Sequence, residues 1–238
     1  MKFFDLDIKS NLSEGESTIK DLAKFAQQLG YFGIAICDKY ESMEKLEELK
    51  KAIKEVESDI EIYPGITIQA KDVDELRRII DKVREKVMIV IVHGGDYLIN
   101  RSACENPKVD ILAHPELGRI DSGLDDICLK RAKENNVAIQ VNFREILFSY
   151  RRPRSYILNH ITRNIRLCNE LGAPMIICSG AQNIWDMRDP RGLVAITNVL
   201  GAELGKAFAG VTSIPQQIVE ENKKILSGKR ITKGVEVI

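Results

Sequence analysis

The sequence predicts an α/β fold of the TIM-barrel type, with about seven parallel strands surrounded by helices. Three observations lead there. Short apolar runs alternate with amphipathic segments along all 238 residues. The runs are apolar at consecutive positions, not at every second one, as strands buried on both faces require. No Gly-rich dinucleotide fingerprint opens any helix, which favours a closed barrel over an open doubly wound sheet.

The elements follow in order. A strand at Phe3–Ile8 precedes a helix at Thr18–Leu29 that Gly30 ends. The second strand, Phe32–Cys37, leads to a helix at Met43–Glu57 with Leu46, Leu49, Ile53 and Val56 on one stripe. The third strand, Ile60–Gln69, carries Pro64-Gly65 as a candidate break and is followed by a helix at Val73–Glu85. Strands at Val87–His93 and Asp110–His114 precede helices at Leu98–Asn106 and Leu124–Asn135. The sixth strand, Val137–Phe143, passes through a polar, Arg-containing turn into a helix at Ser155–Leu171 that Gly172 ends. After the seventh strand, Met175–Ser179, come helices at about Leu193–Leu200 and Ile214–Leu226. These elements make one domain over residues 1–228, leaving a short basic tail at 229–238 with Lys229, Arg230 and Lys233.

Composition narrows the class. With 35 basic and 35 acidic residues the chain is neutral, which argues against nucleic-acid binding driven by global charge but not against a local basic face. Cys37, Cys104, Cys128, Cys168 and Cys178 are scattered without a C-x-x-C pair and read as buried free thiols of a reducing compartment. The charged start of the chain does not read as a signal peptide, and no apolar run approaches the roughly 20 residues of a membrane span, so a soluble, cytoplasmic protein is expected.

Charge is nevertheless concentrated in one place. From Arg144 to Arg166 six arginines (Arg144, Arg151, Arg152, Arg154, Arg163, Arg166) face Glu145 alone, a local excess of five positive charges. In a parallel barrel, function collects on the loops after the carboxyl ends of the strands. Those loops bring Asp38 and Lys39, His93 and Arg101, His114 and Arg119, Arg144, and Arg188 to one face. Asp5 and Asp7 of the first strand stand two apart, which points both side chains the same way, toward the barrel interior.

Two chemistries fit such a mouth. Asp5, Asp7, His93 and His114, with Asp38, could hold divalent metals that activate water against a phosphate ester. Alternatively the arginines bind RNA phosphates and the protein breaks no bond, since a planar guanidinium contacts two phosphate oxygens at once and stacks on unpaired bases. Arg163 and Arg166 share the polar side of a helix whose Ile157, Ile161, Ile165 and Cys168 face the core, and are expected to be solvated. Trp185 is expected to pack, and the mixed-charge helix from Met43 to be an outer barrel helix.

Four segments carry a family resemblance: VNFREILFSYRRPR, IICSGAQNIWDMRDPRGL, and the loops INRSACEN and LGRIDSG, between an opening FFDLDI strand and a Pro215-containing last helix. In order and spacing they resemble the protein component 3 family of archaeal ribonuclease P, the counterpart of the thirty-kilodalton subunit of the eukaryotic enzyme. That family is similar in fold to the metal-dependent PHP phosphoesterases, which carry His-x-His on the first strand and Asp-His after the second. Here Asp5-x-Asp7 and Asp38-Lys39 stand at those places, a departure that discourages a metal cluster.

The resemblance implies an accessory protein of an RNA enzyme that removes 5′ leaders from precursor tRNA. It implies action with protein component 2, as paired copies of each, on the catalytic half of ribonuclease P RNA beside the other protein subunits, with precursor tRNA met indirectly. No cofactor is expected on the protein; magnesium would serve the RNA. Arg101, Arg119, Arg144 and Arg188 are the expected RNA contacts, with Arg151, Arg152, Arg154 and Lys39 as a second tier, and no residue is assigned to catalysis.

Overall fold

The computed structural model describes residues 1–228 and the backbone of Arg230–Thr232 and Val235–Glu236. Lys229 and Lys233 of the expected basic tail lie outside the described residues. Seven parallel strands form one sheet in sequence order: β1 (Phe4–Ile8), β2 (Gly33–Lys39), β3 (Glu61–Ile68), β4 (Ile89–His93), β5 (Ile111–Ala113), β6 (Ala138–Asn142) and β7 (Met175–Cys178). The sheet curls into a nearly closed barrel. Where β1 meets β7 the seam is stitched outside the regular ladder: the Asp5 carboxylate accepts the Ser179 N–H at 3.2 and 3.3 Å, and the Lys9 N–H donates to the Ala181 carbonyl at 2.8 Å.

The helices are α1 (Ile19–Gln28), α2 (Met43–Lys54), α3 (Val73–Val83), α4 (Tyr97–Glu105), α5 (Asp126–Asn135), α6 (Phe143–Phe148), α7 (Arg151–Leu171), α8 (Pro190–Val199), α9 (Leu204–Val211) and α10 (Ser213–Leu226). Most start where the sequence offers a short polar side chain to the first free amides. Thr18 accepts from Asp21, Asp72 from Glu75, Asp125 from Cys128, and Asp189 from Arg191 and Gly192 with Pro190 opening the helix. Alternate strand residues serve two cores. Ile34, Ile36, Val90, Val92, Leu112, Ile139 and Ile177 face the helices, whereas Phe4, Leu6, Ala35, Ile89, Ile91, Ile111 and Ile176 fill the barrel. Val219 of α10 joins the inner cluster, and Asn222 donates to the Asp110 carboxylate at 2.9 Å and the Met88 carbonyl at 2.8 Å. The last helix therefore closes the end of the barrel opposite the functional loops, leaving beside it a cleft of about 440 Å³ lined by Ile214, Ile218 and Ile225.

Several expectations need correction. β3 runs unbroken through Pro64-Gly65, because Pro64 still gives its carbonyl to Met88 N–H at 3.0 Å and needs only its missing donor excused. The sixth strand ends at Asn142; Phe143 opens a helix. α7 begins at Arg151, four residues before the expected start, since Pro153 in a first turn forfeits no intrahelical bond. Three short elements escaped the periodicity: α6, α9, and a single 3₁₀ turn at Ile184–Asp186. The five cysteines are buried and free, as expected. No helix among the described residues is long and apolar enough to cross a membrane.

Candidate RNA interface at the barrel mouth

The first strand carries an irregularity that decides the chemistry of the mouth. Asp5 pairs with Ile34 and Ile8 with Ile36, so Leu6 and Asp7 together oppose the single residue Ala35, a β-bulge. The bulge breaks the alternation that would have aimed Asp5 and Asp7 the same way. Asp5 turns to the seam and Ser179; Asp7 reaches across the interior to β6, accepting Gln140 Nε2 at 2.8 Å and Asn142 Nδ2 at 3.3 Å. Burial pushes the Asp5 carboxyl up to about 7 against the hydrogen bonds from Ser179.

Lys9 completes the arrangement. Its ammonium donates to Asp7 Oδ1 at 2.7 Å, the Cys37 carbonyl at 2.6 Å and Thr67 Oγ1 at 2.5 Å, satisfying all three protons. Burial opposes charge on both partners, yet each outweighs it for the other: the Asp7 carboxyl is held below the usual carboxylate range and the Lys9 ammonium above the usual lysine range. Asp38 is likewise spoken for, accepting the Ser10 N–H at 2.7 Å and the Ser10 hydroxyl at 2.6 Å. A divalent metal does not fit this donor set, because an ammonium already sits against Asp7 and the second carboxylate faces the seam. Among the described residues no group of three or more His, Cys, Asp or Glu is placed to hold one.

The histidines complete a neutral interior. His93 and His114 lie with ring centroids 4.9 Å apart, and burial together with the His93 charge lowers His114 to about 3. His114 Nδ1 stands 3.4 Å from Glu145 Oε1, an ion pair only if the imidazole were protonated. Burial, helped by the nearby Glu145 carboxylate, raises Glu116 to about 7.

The arginines divide into three kinds. Arg144 and Arg119 are bound to carboxylates: Arg144 to Asp186 at 2.6 Å, Arg119 to both oxygens of Asp121 at 2.6 and 2.9 Å. Arg101, in α4, makes an exposed pair with Glu105 at 3.0 Å. Arg188 and Arg154 satisfy backbone: Arg188 donates to the Trp185 and Met187 carbonyls, and Arg154 to the Ser149 and Leu147 carbonyls at the end of α6. Arg151, Arg152 and Lys39 have no carboxylate partner among the described residues.

These groups assemble locally. Ser179 donates no side chain to the rim, but its carbonyl accepts the Arg144 N–H at 3.0 Å, joining the β6 and β7 loops, and Arg188 lies 5.1 Å from the Phe143 ring centroid. Gly180 is required beside them: its φ is +64° and a Cβ would lie 2.4 Å from Asn142 Oδ1. On the other side Arg119 donates to the Gly95 carbonyl, and Arg163 of α7 donates to Ser122 Oγ at 2.5 Å. Arg163 and Arg166 lie on the exposed side of α7 as expected, and Arg163 in addition ties the helix to the loop. Trp185 is corrected: it is 73% exposed, with only an edge contact to Phe25. Lys9, Gln140, Asn142 and Glu116 were not singled out by the sequence reading. The signal was available in Gln140-x-Asn142, two amides on the inward face of an otherwise apolar strand.

A seven-stranded parallel barrel whose mouth holds its own Lys9–Asp7 pair, with arginines on the loops around it, is the class of molecule these residues define. The comparisons give the particular lineage. The family model described as RNase P subunit p30 matches residues 2–225, and the chain belongs to that family. It is similar to ribonuclease P protein component 3 of Methanosarcina barkeri, 32% identical over 237 residues with 100% of this chain and 96% of that protein covered. The same protein of Methanothermobacter thermautotrophicus is 30% identical over 242 residues, with the same coverage. Among solved structures, a chain of the cryo-EM structure of archaeal ribonuclease P with mature tRNA superposes with a TM-score of 0.80 at 28% identity, covering 98% of this chain and 97% of that one. A zinc-bound histidinol phosphate phosphatase of Lactococcus lactis shares the fold, with a TM-score of 0.54 at 13% identity over 93% of this chain and 94% of that one.

Proposed function

We propose that this ribonuclease P subunit is a non-catalytic RNA-binding component that acts in the cytoplasm with protein component 2, as paired copies of each. Together they would bind ribonuclease P RNA and favour the conformation that removes 5′ leaders from precursor tRNA. The observation that carries this reading is the mouth itself: the fold is that of a phosphoesterase barrel, and Lys9 sits against the carboxylate a metal would need. Magnesium belongs to the RNA. Basic side chains on the rim lower repulsion between neighbouring RNA phosphates and reduce the magnesium needed for the active conformation. The unpaired cations Arg151, Arg152 and Lys39 form the first tier of phosphate contacts; Arg101, Arg119, Arg144 and Arg188 would exchange or share an internal partner to reach RNA.

The test is precursor-tRNA cleavage by ribonuclease P RNA across a magnesium series, with and without this chain and component 2. A shift of RNA-dependent cleavage to lower magnesium, with no cleavage by the proteins alone, is the expected result. Manganese- or zinc-dependent turnover of a phosphate ester by the protein alone, lost in Asp7→Ala, would return Asp5, Asp7, His93 and His114 to the role of a metal site.

A further inference from the structure

The corner between α6 and α7 holds side chains that phosphate contacts leave unused. Phe148, Tyr150 and Tyr156 are 60, 67 and 51% exposed, large rings with much of their area in solvent. Each lies under a guanidinium. Arg144 stands 4.0 Å from the Phe148 centroid, Arg151 5.1 Å from that of Tyr150 and Arg152 5.8 Å from that of Tyr156, with Arg152 Nε also donating to the Tyr156 hydroxyl at 3.2 Å. Arg154 locks the corner by bonding the carbonyls of Ser149 and Leu147. A guanidinium on one face fixes a ring's orientation and leaves area on the other.

The charge here does not serve the helix. The first turn of α7 contains no acidic residue, and Tyr150 offers no side-chain cap. Arginines at this end oppose the helix dipole and raise the local positive potential. Glu145, the one acid nearby in sequence, is turned toward His114. Arg144 over Phe148 is paired with Asp186, but Arg151 and Arg152 meet no carboxylate among the described residues, and rings framed by such guanidiniums suit a ligand that alternates flat apolar faces with negative charge. Single-stranded RNA has that form, whereas a duplex hides its base faces in the stack.

We propose that the α6–α7 corner is a stacking platform for unpaired RNA nucleotides, with Phe148, Tyr150 and Tyr156 stacking bases and Arg151 and Arg152 contacting the intervening phosphates. This rests on the RNA-binding reading above and narrows it from charge neutralisation to recognition of a single-stranded segment.

The test uses the full chain with a single-stranded RNA of about twelve nucleotides carrying a central 2-aminopurine, and a blunt duplex of the same sequence. Wild-type protein should bind the single strand more tightly than the duplex and change the 2-aminopurine fluorescence through stacking. Tyr150→Leu with Tyr156→Leu should weaken single-strand binding about tenfold or more, abolish the fluorescence change, affect the duplex less than about twofold, and leave the salt slope unaltered. Tyr150→Phe with Tyr156→Phe should retain binding. Because the rings are exposed, circular dichroism and melting should show folded variants. Unchanged single-strand affinity in the leucine variant, or equal losses on single strand and duplex, would overturn the platform while leaving RNA binding intact. Loss of a protein subunit's binding with RNA affinity unchanged would assign the corner to a protein contact and overturn it likewise. A wild-type protein that binds neither probe nor ribonuclease P RNA would overturn the RNA-binding reading itself.

Discussion

Inside the mouth Lys9 finds three oxygen partners within 2.7 Å, and Asp7 accepts from Lys9, Gln140 and Asn142. At the α6–α7 corner Arg151 and Arg152 meet rings and no carboxylate among the described residues. The two regions lie on loops and strand ends of the same barrel, yet the first consumes its charges internally and the second leaves them uncompensated. A buried ion pair is tolerated only when nearly every proton and lone pair is matched, and such a pair has no valence left for a ligand. An exposed cation near an aromatic ring contributes little to folding and keeps its interaction with anions available. On this contrast the mouth interior serves as scaffold, and the rim is where the proposed RNA contacts have charge to offer.

The contrast breaks most visibly if Lys9 is removed. Lys9→Met leaves Asp7 buried with only amide donors, and the expected loss is about 3–5 kcal/mol of unfolding free energy. In a chain of this size that lowers the melting temperature by on the order of 10 °C. Adding Asp7→Leu to Lys9→Met should recover much of the loss, because no uncompensated charge remains. Urea unfolding of the two variants measures both. A single variant as stable as wild type would show that the pair does not hold the mouth together.

The barrel was legible because its signal is spread over many residues: consecutive apolar positions in seven strands and stripes such as Leu46, Leu49 and Ile53 survive any local irregularity. The site was only partly legible. The rim arginines are named by their place after strands, but their partners are set by tertiary contacts, as with Arg144 and Asp186, 42 residues apart. The bulge after Asp5 overturned an inference from strand alternation, since period-two logic assumes an unbroken ladder. α6 spans too few residues to show a helical period, and the Arg-Arg-Pro-Arg run hid the start of α7 because proline reads as a breaker except in a first turn.

Glu116 sharpens the contrast by pH. Burial raises its carboxyl from the ordinary 4.5 to about 7, so the unfolded chain releases this proton first as pH rises. The associated stability is complete below about pH 4.5 and is lost through pH 7. Glu116→Gln should therefore match wild type at pH 4 and exceed it at pH 8 by on the order of 3 kcal/mol. Asp5, raised to about 7 for the same reason, keeps a slope of the same sign in the variant. Denaturant midpoints across that range decide it; parallel curves would mean that Glu116 is not titrating in the folded protein.

At the rim the effects fall on binding and not on stability. Arg151→Ala with Arg152→Ala should reduce the slope of log affinity against log salt by about 1–2 for ribonuclease P RNA, with the melting temperature nearly unchanged. An unaltered slope in the folded variant would remove both residues from the phosphate interface.

The smallest effect belongs to Arg101 and Arg119, which the sequence ranks ahead of Arg151 and Arg152. Arg119 holds both oxygens of Asp121, and Arg101 is committed to Glu105 one helical turn away. Either must give up part of a carboxylate contact to reach a phosphate, so the net gain from RNA is reduced by what is released. Arg119→Ala should therefore lower RNA affinity by less than the Arg151/Arg152 double substitution does, and its salt slope should change by less than one contact. Arg101→Ala should leave the melting temperature nearly unchanged, because the pair it loses is exposed to solvent. The informative variant is Asp121→Asn, which frees the Arg119 guanidinium. If internal pairing is what separates the two kinds of arginine, this change raises RNA affinity and steepens the salt dependence; if affinity falls instead, Asp121 is positioning Arg119 for RNA, and a paired arginine on this rim is as much a part of the interface as a free one.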